Sequence, residues 1–455
     1  MRTRTKWLAA LLACLMFLTV GSAFAEGETV TINFWHHYSA QSAENETLMN
    51  VLIPAFEAEN PGIKVNAVSH EWAELHDKVL VSAKSNALPD VARCDIAWLP
   101  EFQKMGILVA LDEEMPDFTE VSGKLLDSAM STSVIAGHNY ALALNTNSKI
   151  VFYNKAMLEE AGVQVPTTMD EWVEAVKKLS GENANGQQVW GWNEPALAGW
   201  NICPFIWSFG GSLTNEDQTV ATGYINGPAT VKAVETFAEL VKAGGITGFN
   251  SGDIPMTDGF GTGRYAMMLE GPWKSAELAG AYPDVAYGTA PIPAGEGGSI
   301  SVLGGEDIAM FNTANKEAAW KFMQFMTSEF AETEMAKCGQ IPVNKAALES
   351  ETVKAADYAP FIEAIQTAKA RPTVAAWSEM DNDLTVAMTA VVSGEKTAQE
   401  AMDSPSSSMD GIRISPSCSN AGVPKLRFSY SARARSFLSI SSVSSTACGS
   451  SSSAA

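Results

Sequence analysis

A chain of 455 residues with 52 Asp and Glu against 30 Lys and Arg carries a formal net charge of −22, and it is long enough for two or more domains, each with its own core. So acidic a surface repels nucleic acid and anionic lipid, and it disfavours an anionic ligand unless a local arginine overrides the global field. Of the six cysteines, Cys14 sits near the N-terminus, Cys418 and Cys448 lie in the last fifty residues, and Cys94, Cys203 and Cys338 are widely spaced and odd in number, which excludes a scaffold stapled by disulfides.

The chain opens with Arg2, Arg4 and Lys6, continues through the apolar run WLAALLACLMFLTV, and reaches GSAFA. This pattern predicts a secretory signal peptide over residues 1–25, cleaved after Ala25. LLAC offers the alternative of lipid anchoring at Cys14, but a lipidated cysteine is usually followed by polar residues, and LMFLTV follows here. No other run approaches the roughly 20 apolar residues of a membrane span. An exported, soluble protein is expected.

Beyond the leader, strand-like and helix-like segments alternate. TVTINFW reads as a strand and SAENETLMNVLIPAFEAENPG as a helix stopped at Asn-Pro-Gly. IKVNAVS is a second strand, WAELHDKVLVSAKSN a second helix, and PDVARCDI a third strand opening into AWLPEFQKMG. The β-α-β-α-β order predicts a mostly parallel sheet covered by helices. The pattern resumes at KIVFYNKAMLEEAG, then at TTMDEWVEAVKKLS, where Thr168 and Glu171 have the spacing of a capping box. After GRYAMML and VAYGTAPIP comes EAAWKFMQFMTSEFAETEMAKCG, which reads as one long amphipathic helix. Two such α/β lobes facing each other would form a cleft, since ligands of open α/β sheets bind beyond the carboxyl ends of the strands. Residues 404–455 break the pattern, with 19 serines, five bases and one acid, Asp410. They read as a low-complexity tail without function, and the abrupt change from an acidic body is what out-of-frame translation from near Asp403 would produce.

The candidate chemistry is sparse. HEWAELH places His70 and His76 six residues apart, whereas a helical zinc signature needs four, so on a straight helix the two rings point roughly 120° apart. No metal or cofactor is expected. G-x-S-x-G, Walker A and C-x-x-C patterns are absent from the sequence. Carboxylate pairs such as Glu113/Glu114 and Glu159/Glu160 leave a secreted carbohydrate-active enzyme open as an alternative, although such chemistry needs two carboxyls about 5–9.5 Å apart across a bond. The tryptophans are more informative. They fall in FWHHYS, CDIAWLP, WGWNEPALAGW and EGPWK, at strand ends or in Gly/Pro-rich loops. A single tryptophan more often packs a core, but the set points to a cleft that stacks on the C–H faces of sugars.

The motifs INFWHHYS, FEAENPGIKV, LPDVARCDIAWLPEF, ALALNTNSKIVFYNKAMLEEAG, WSFGGSL, GRYAMMLEGPW, LGGEDIAMF, NKEAAWKFMQFMTS, CGQIPVNKAAL and VVSGEKTAQEA, in this order over residues 30 to about 400, resemble the extracellular solute-binding proteins of carbohydrate ABC importers. The resemblance implies a two-lobed clamp of the type II periplasmic-binding-protein class, with three crossover hinge segments. Lobe 1 would comprise 26–143 and 304–345, and lobe 2 would comprise 144–303 and 346–403. It implies a monomeric, non-enzymatic protein of the periplasm or outer cell surface that binds a sugar or oligosaccharide and docks on membrane-embedded permease subunits. By position it implies a ligand-binding set of His37, Trp72, Asp95, Trp98, Asn145, Thr146 and Trp192, with Gly271, Trp273, Gly305, Glu306, Gln340 and Arg371. HEWAELH then matters for Trp72, not for its histidines. The branch that binds glycerol 3-phosphate or a related polyol phosphate tends to carry an arginine about a dozen residues before the VVSGEK-like turn. Asp381 and Asp383 stand in that region here, which argues against a phosphate ligand.

Overall fold

The computed structural model describes residues 29–242, 246–247, 254–356 and 358–411, so the expected leader and most of the serine-rich tail lie outside the described residues. Strand β1 (Val30–His36) buries Ile32, Phe34 and His36 while exposing Thr31 and Asn33, the two-residue alternation of a sheet with one covered face. It pairs in parallel with β2 (Ile63–Ser69) and β3 (Val91–Asp95). The chain then leaves this sheet along β4 (Ala141–Ser148) and, after Lys149 alone, enters the second sheet as β5 (Ile150–Asn154).

In the second sheet β6 (Trp192–Asn193) runs parallel to β7 (Ile246–Thr247) and β8 (Met267–Glu270). Strand β5 is antiparallel to both β8 and β9 (Tyr287–Ala290). The chain returns along β10 (Val302–Met310), which is antiparallel to β3 and to β4 and parallel to the short β11 (Lys369–Ala370). A strand that returns must run opposite to one that left, so β4 and β10 form an antiparallel ladder between the sheets. Each sheet thus combines parallel pairs with antiparallel pairs.

Separate cores sit against the two sheets. Phe34, Phe56, Leu142, Ile308 and Phe322 belong to the first, and Trp172, Trp192, Phe205, Phe237 and Met267 to the second. A third cluster joins Ile150, Phe152 and Met268 to Ala336, Ile341, Phe361 and Ile365. It packs the 336–365 segment beside the two hinge strands. The capping box forms as expected: Glu171 N donates to Thr168 Oγ1 at 3.2 Å, and Thr168 N donates to Glu171 Oε2 at 3.1 Å. The long amphipathic helix expected over 317–339 is instead two, Lys316–Met326 and Glu329–Ala336. Ser328 makes the break, its hydroxyl accepting from Ala331 N at 3.2 Å to cap the second helix. The last helix, Ala398–Gly411, runs past Asp403 and buries Pro405, so ordered structure extends into the serine-rich segment. Among the described residues no helix is long and apolar enough to cross a membrane.

Candidate functional site

The carboxyl ends of the strands supply most of the site. His37 and Tyr38 follow β1, Trp72 begins the helix Trp72–Ser85 just after β2, and Asp95 closes β3. On the other sheet Glu194 follows β6, while Glu270 ends β8 and leads through Gly271 into Trp273, first residue of the helix Trp273–Ala281. The hinge strands form the floor. Asn145 of β4 is in register with Glu306 of β10, so these two, with Asn147 and Gly304 two residues away, present one face.

Three buried cations line this region, and each is held by a carboxylate. Arg93 Nη2 lies 2.8 Å from Glu306, Arg371 Nη2 lies 2.7 Å from Asp95, and Lys149 Nζ lies 3.3 Å from Glu194. Arg93 sits inside a fully buried strand, where a charge is tolerated only with such partners. Its guanidinium stands 4.2 Å over the Tyr38 ring and donates from Nη1 to His37 Nδ1 at 2.8 Å. Burial, and then Arg93, hold the His37 imidazole well below its usual range, so the ring is neutral and able to accept that bond. Burial pushes Glu194 up to about 7, with Lys149 opposing and Glu270 adding to the rise. Burial also raises Glu44, to about 7, against the pull of Arg93.

Most of the expected residues come together here. Trp72 donates its indole N–H to Asp95 at 3.3 Å, and Asp95 in turn holds Arg371. Asn145 Nδ2 donates to Glu306 at 2.6 Å. A Cβ on Gly305 would stand 2.7 Å from the Asn145 carbonyl, and one on Gly271 would strike the Trp273 ring, so both glycines serve close packing. Trp273 donates to Glu270 at 3.2 Å, and Gln340 donates its amide to Glu44. Thr146 is taken up by the hinge itself, its hydroxyl on Gly304 O at 3.3 Å and its N–H on Ile341 O at 3.1 Å.

Two expected residues are placed differently. Trp192 is 0 % exposed, its ring 4.6 Å from that of Trp172 and packed on Phe205 and Phe237. It faces the second core because its short strand lies in the interior of the sheet, so it is a core residue and not part of the cleft wall. Trp98 is also buried, with ring centroids 5.3 Å from Trp72 and 5.6 Å from His37, and it props those two from behind.

Sequence reasoning missed Arg93, Asn147, Lys149, Glu194 and Trp200. The indole of Trp200, near the start of the helix Gly199–Ser208, has the Arg371 guanidinium at 5.4 Å, Lys149 Nζ at 5.7 Å and the Trp273 ring at 6.5 Å, nearly parallel. A Cβ on Gly304 would lie 2.6 Å from this ring, so Trp200 rests directly on the hinge. One signal was available: Arg93 within VARCD is a charge inside a strand that is apolar up to its closing Asp95. His76, by contrast, bonds Glu101 at 3.0 Å and Ser378 at 3.1 Å while stacking on Phe102.

Comparison with known proteins agrees with this architecture. The chain is 28% identical to a putative binding protein of Brucella abortus (strain 2308), over 90% of this chain and 98% of the relative. It is 23% identical to the diacetylchitobiose binding protein of Streptomyces coelicolor, over 82% of this chain and 88% of the relative. Among solved structures, the GacH receptor of Streptomyces glaucescens, studied unliganded and in complex with acarbose, superposes with a TM-score of 0.76 at 25% identity, over 85% of this chain and 99% of that one. The fold is the two-lobed clamp of the type II periplasmic binding proteins. The model of the bacterial extracellular solute-binding proteins matches residues 39–332, and the chain belongs to that family.

Proposed function

We propose that the protein binds a sugar or oligosaccharide outside the cytoplasmic membrane and delivers it to the permease of an ABC importer. The observation that carries this reading is the aromatic and polar lining shared by both sheets. Trp72 with Asp95 stands on one side, Trp200 and Trp273 with Glu270 on the other, and the Asn145–Glu306 pair lies on the floor between them. Indole faces stack on sugar C–H surfaces, while carboxylates and carboxamides bind hydroxyls. Relatives named for diacetylchitobiose and for maltotriose support the same class of ligand. The proposed ligand-contacting set is His37, Trp72, Asp95, Asn145, Gly305, Glu306, Gln340 and Arg371 with Gly271 and Trp273, and the position of Trp200 beside Trp273 supports its inclusion.

Thermal denaturation across a panel of saccharides tests the reading, because a ligand at about 100 times its dissociation constant adds roughly 2.7 kcal/mol of stability. A saturable rise in melting temperature with no change in the saccharide is expected. Turnover of an oligosaccharide, abolished by one Asp or Glu substitution, would replace binding with catalysis.

A further inference from the structure

Two helices from opposite lobes are joined by side chains. The helix Trp72–Ser85 carries Trp72 at its start and His76 one turn on, and its Leu75 and Val79 pack with Trp98 and Phe102 against the first sheet. The helix Trp377–Val392 buries Trp377, Met380 and Leu384 in the second core. Ser378 Oγ donates to Glu101 Oε2 at 2.7 Å, a bond between residues 277 apart in the chain. His76 Nε2 lies 3.0 Å from the same carboxylate oxygen and 3.1 Å from Ser378 Oγ. An ionised carboxylate only accepts, so the ring hydrogen of His76 belongs on Nε2. Burial would raise Glu101, but the bonds from His76 and Ser378 outweigh it and hold the carboxyl below its usual range. Both bonds to it are therefore charge-assisted.

The same end of the helix Trp377–Val392 grips the other wall. Asp381 accepts from the backbone N–H of Gly199, the first residue of the helix that presents Trp200. A Cβ on Gly199 would stand 2.8 Å from the Trp377 ring and 2.9 Å from Asp381 Oδ1, so only glycine lets the two helices approach this closely. On the side of the first lobe, His76 stacks on Phe102 with an interplanar angle of 17°. It also stands 5.4 Å from Trp98, the ring that props Trp72.

We propose that the first turns of the helix Trp377–Val392 form a strut that sets the separation of the two aromatic walls. One end, Trp377 with Asp381, is anchored on the Trp200 helix. The other is the hydroxyl of Ser378 on the His76–Glu101 pair. Ser378 and Asp381 act through the tryptophans and are positioning residues. All these groups find their partners within the protein, so the strut is engaged before a sugar arrives. Its two ends differ: packing and a backbone bond secure the Trp200 side, while the half-buried Ser378 offers a polar contact alone. The Ser378 joint is where the walls part. The coupling rests on the fold, and its consequence for affinity rests on the sugar-binding reading above.

The test begins on the protein without added saccharide, by small-angle scattering and amide hydrogen exchange. Ser378→Ala should enlarge the radius of gyration and speed exchange over residues 72–85, with melting temperature nearly unchanged. Ser378→Thr, which keeps the hydroxyl, should restore both. Asp381→Ala frees the other end, and the double variant should expand no further than the larger single one, because a strut released at one end carries no load at the other. Unchanged scattering in Ser378→Ala, or expansion that adds in the double variant, overturns the strut. With the saccharide that most stabilises the parent, Ser378→Ala should lose about tenfold in affinity, the effect of removing one charge-assisted hydrogen bond. Affinity equal to that of the parent would mean that wall separation is not set here. If no saccharide binds, the sugar reading fails, and the scattering of the variants still decides the strut.

Discussion

The two walls of the cleft hold their tryptophans by different physics. On the first, Trp72 leans on a packed aromatic stack, with Trp98 at 5.3 Å and Phe102 behind it at 6.3 Å from Trp98, and a carboxylate pins its N–H. On the second, Trp200 is flanked by the side chains of Arg371 and Lys149, and Trp273 is seated by bare backbone. A Cβ on Gly339 would stand 2.6 Å from the Trp273 Cα, and Gly271 leaves room for its ring. Hydrophobic packing holds the first wall, while glycine clearances and ion pairs hold the second. Removing the Lys149 charge should therefore disturb the second wall more than the first.

The sharpest way to break this contrast is to separate core from wall. Trp192→Ala removes a fully buried ring from the second core and should cost about 3–5 kcal/mol of folding stability, read as a large fall in the urea midpoint. Arg93→Leu should cost a similar amount, about 3–5 kcal/mol, because it leaves Glu306 buried without its cation. Restoring neutrality with Glu306→Gln in the same chain should recover part of that loss. If Arg93→Leu alone is as stable as the parent, the ion pair does not govern the hinge.

The wall tryptophans should behave oppositely. Trp72→Ala and Trp273→Ala should each weaken sugar binding by roughly 2 kcal/mol or more, as loss of an aromatic anchor does. Their cost to the apoprotein should be smaller, since both rings are only half-buried. Both quantities must be measured on both variants. A Trp72→Ala protein that melts early yet binds sugar normally would place Trp72 in the core with Trp98. Lys149→Met sharpens the comparison further: removing the cation beside Trp200 should disturb that platform more than the stack at Trp72, read as a change in the fluorescence contributed by Trp200 and not by Trp72.

Legibility in the sequence followed the range of the interaction. Strand ends and caps are local, so β1 to β3, the Thr168–Glu171 capping box and the helix that begins at Trp72 could be read from spacing alone, while the site role of Trp72 came with the family resemblance. The family resemblance placed Asp95, Glu306 and Arg371, which the fold then joins across more than two hundred residues. What could not be read is which way a ring points once several strands meet. Trp192 and Trp200 lie in the same motif, WGWNEPALAGW, yet one is sealed in a core and the other rests on the hinge. Seven intervening residues and the turn into a helix decide that difference, and neither tryptophan's local composition encodes it. Lys149 was hidden for a similar reason: a lone lysine between two strands looks solvated until Glu194, from another segment, closes over it.

The smallest expected effect concerns pH, and its sign separates the two sheets. Glu194 is raised to about 7, chiefly by burial. A carboxyl raised in the folded state contributes stability that is fully present below its unfolded value, near 4.5, and lost as pH rises through 7. On the other sheet, burial and Arg93 lower His36 to about 3. That contribution is present above about 6.5 and lost as pH falls towards 3. The two trends oppose each other in the parent protein, so its own pH profile is a poor readout. The difference between parent and Glu194→Gln isolates the first. Glu194→Gln leaves Lys149 without its counter-charge only where Glu194 is ionised, so the slope and not the absolute stability is diagnostic. Between about pH 4.5 and 7.5 the parent should lose stability relative to the variant, the rise of Glu194 being what burial leaves after Lys149 opposes it. Parallel profiles for the two proteins would mean that Glu194 is ionised throughout that range, with Lys149 outweighing its burial.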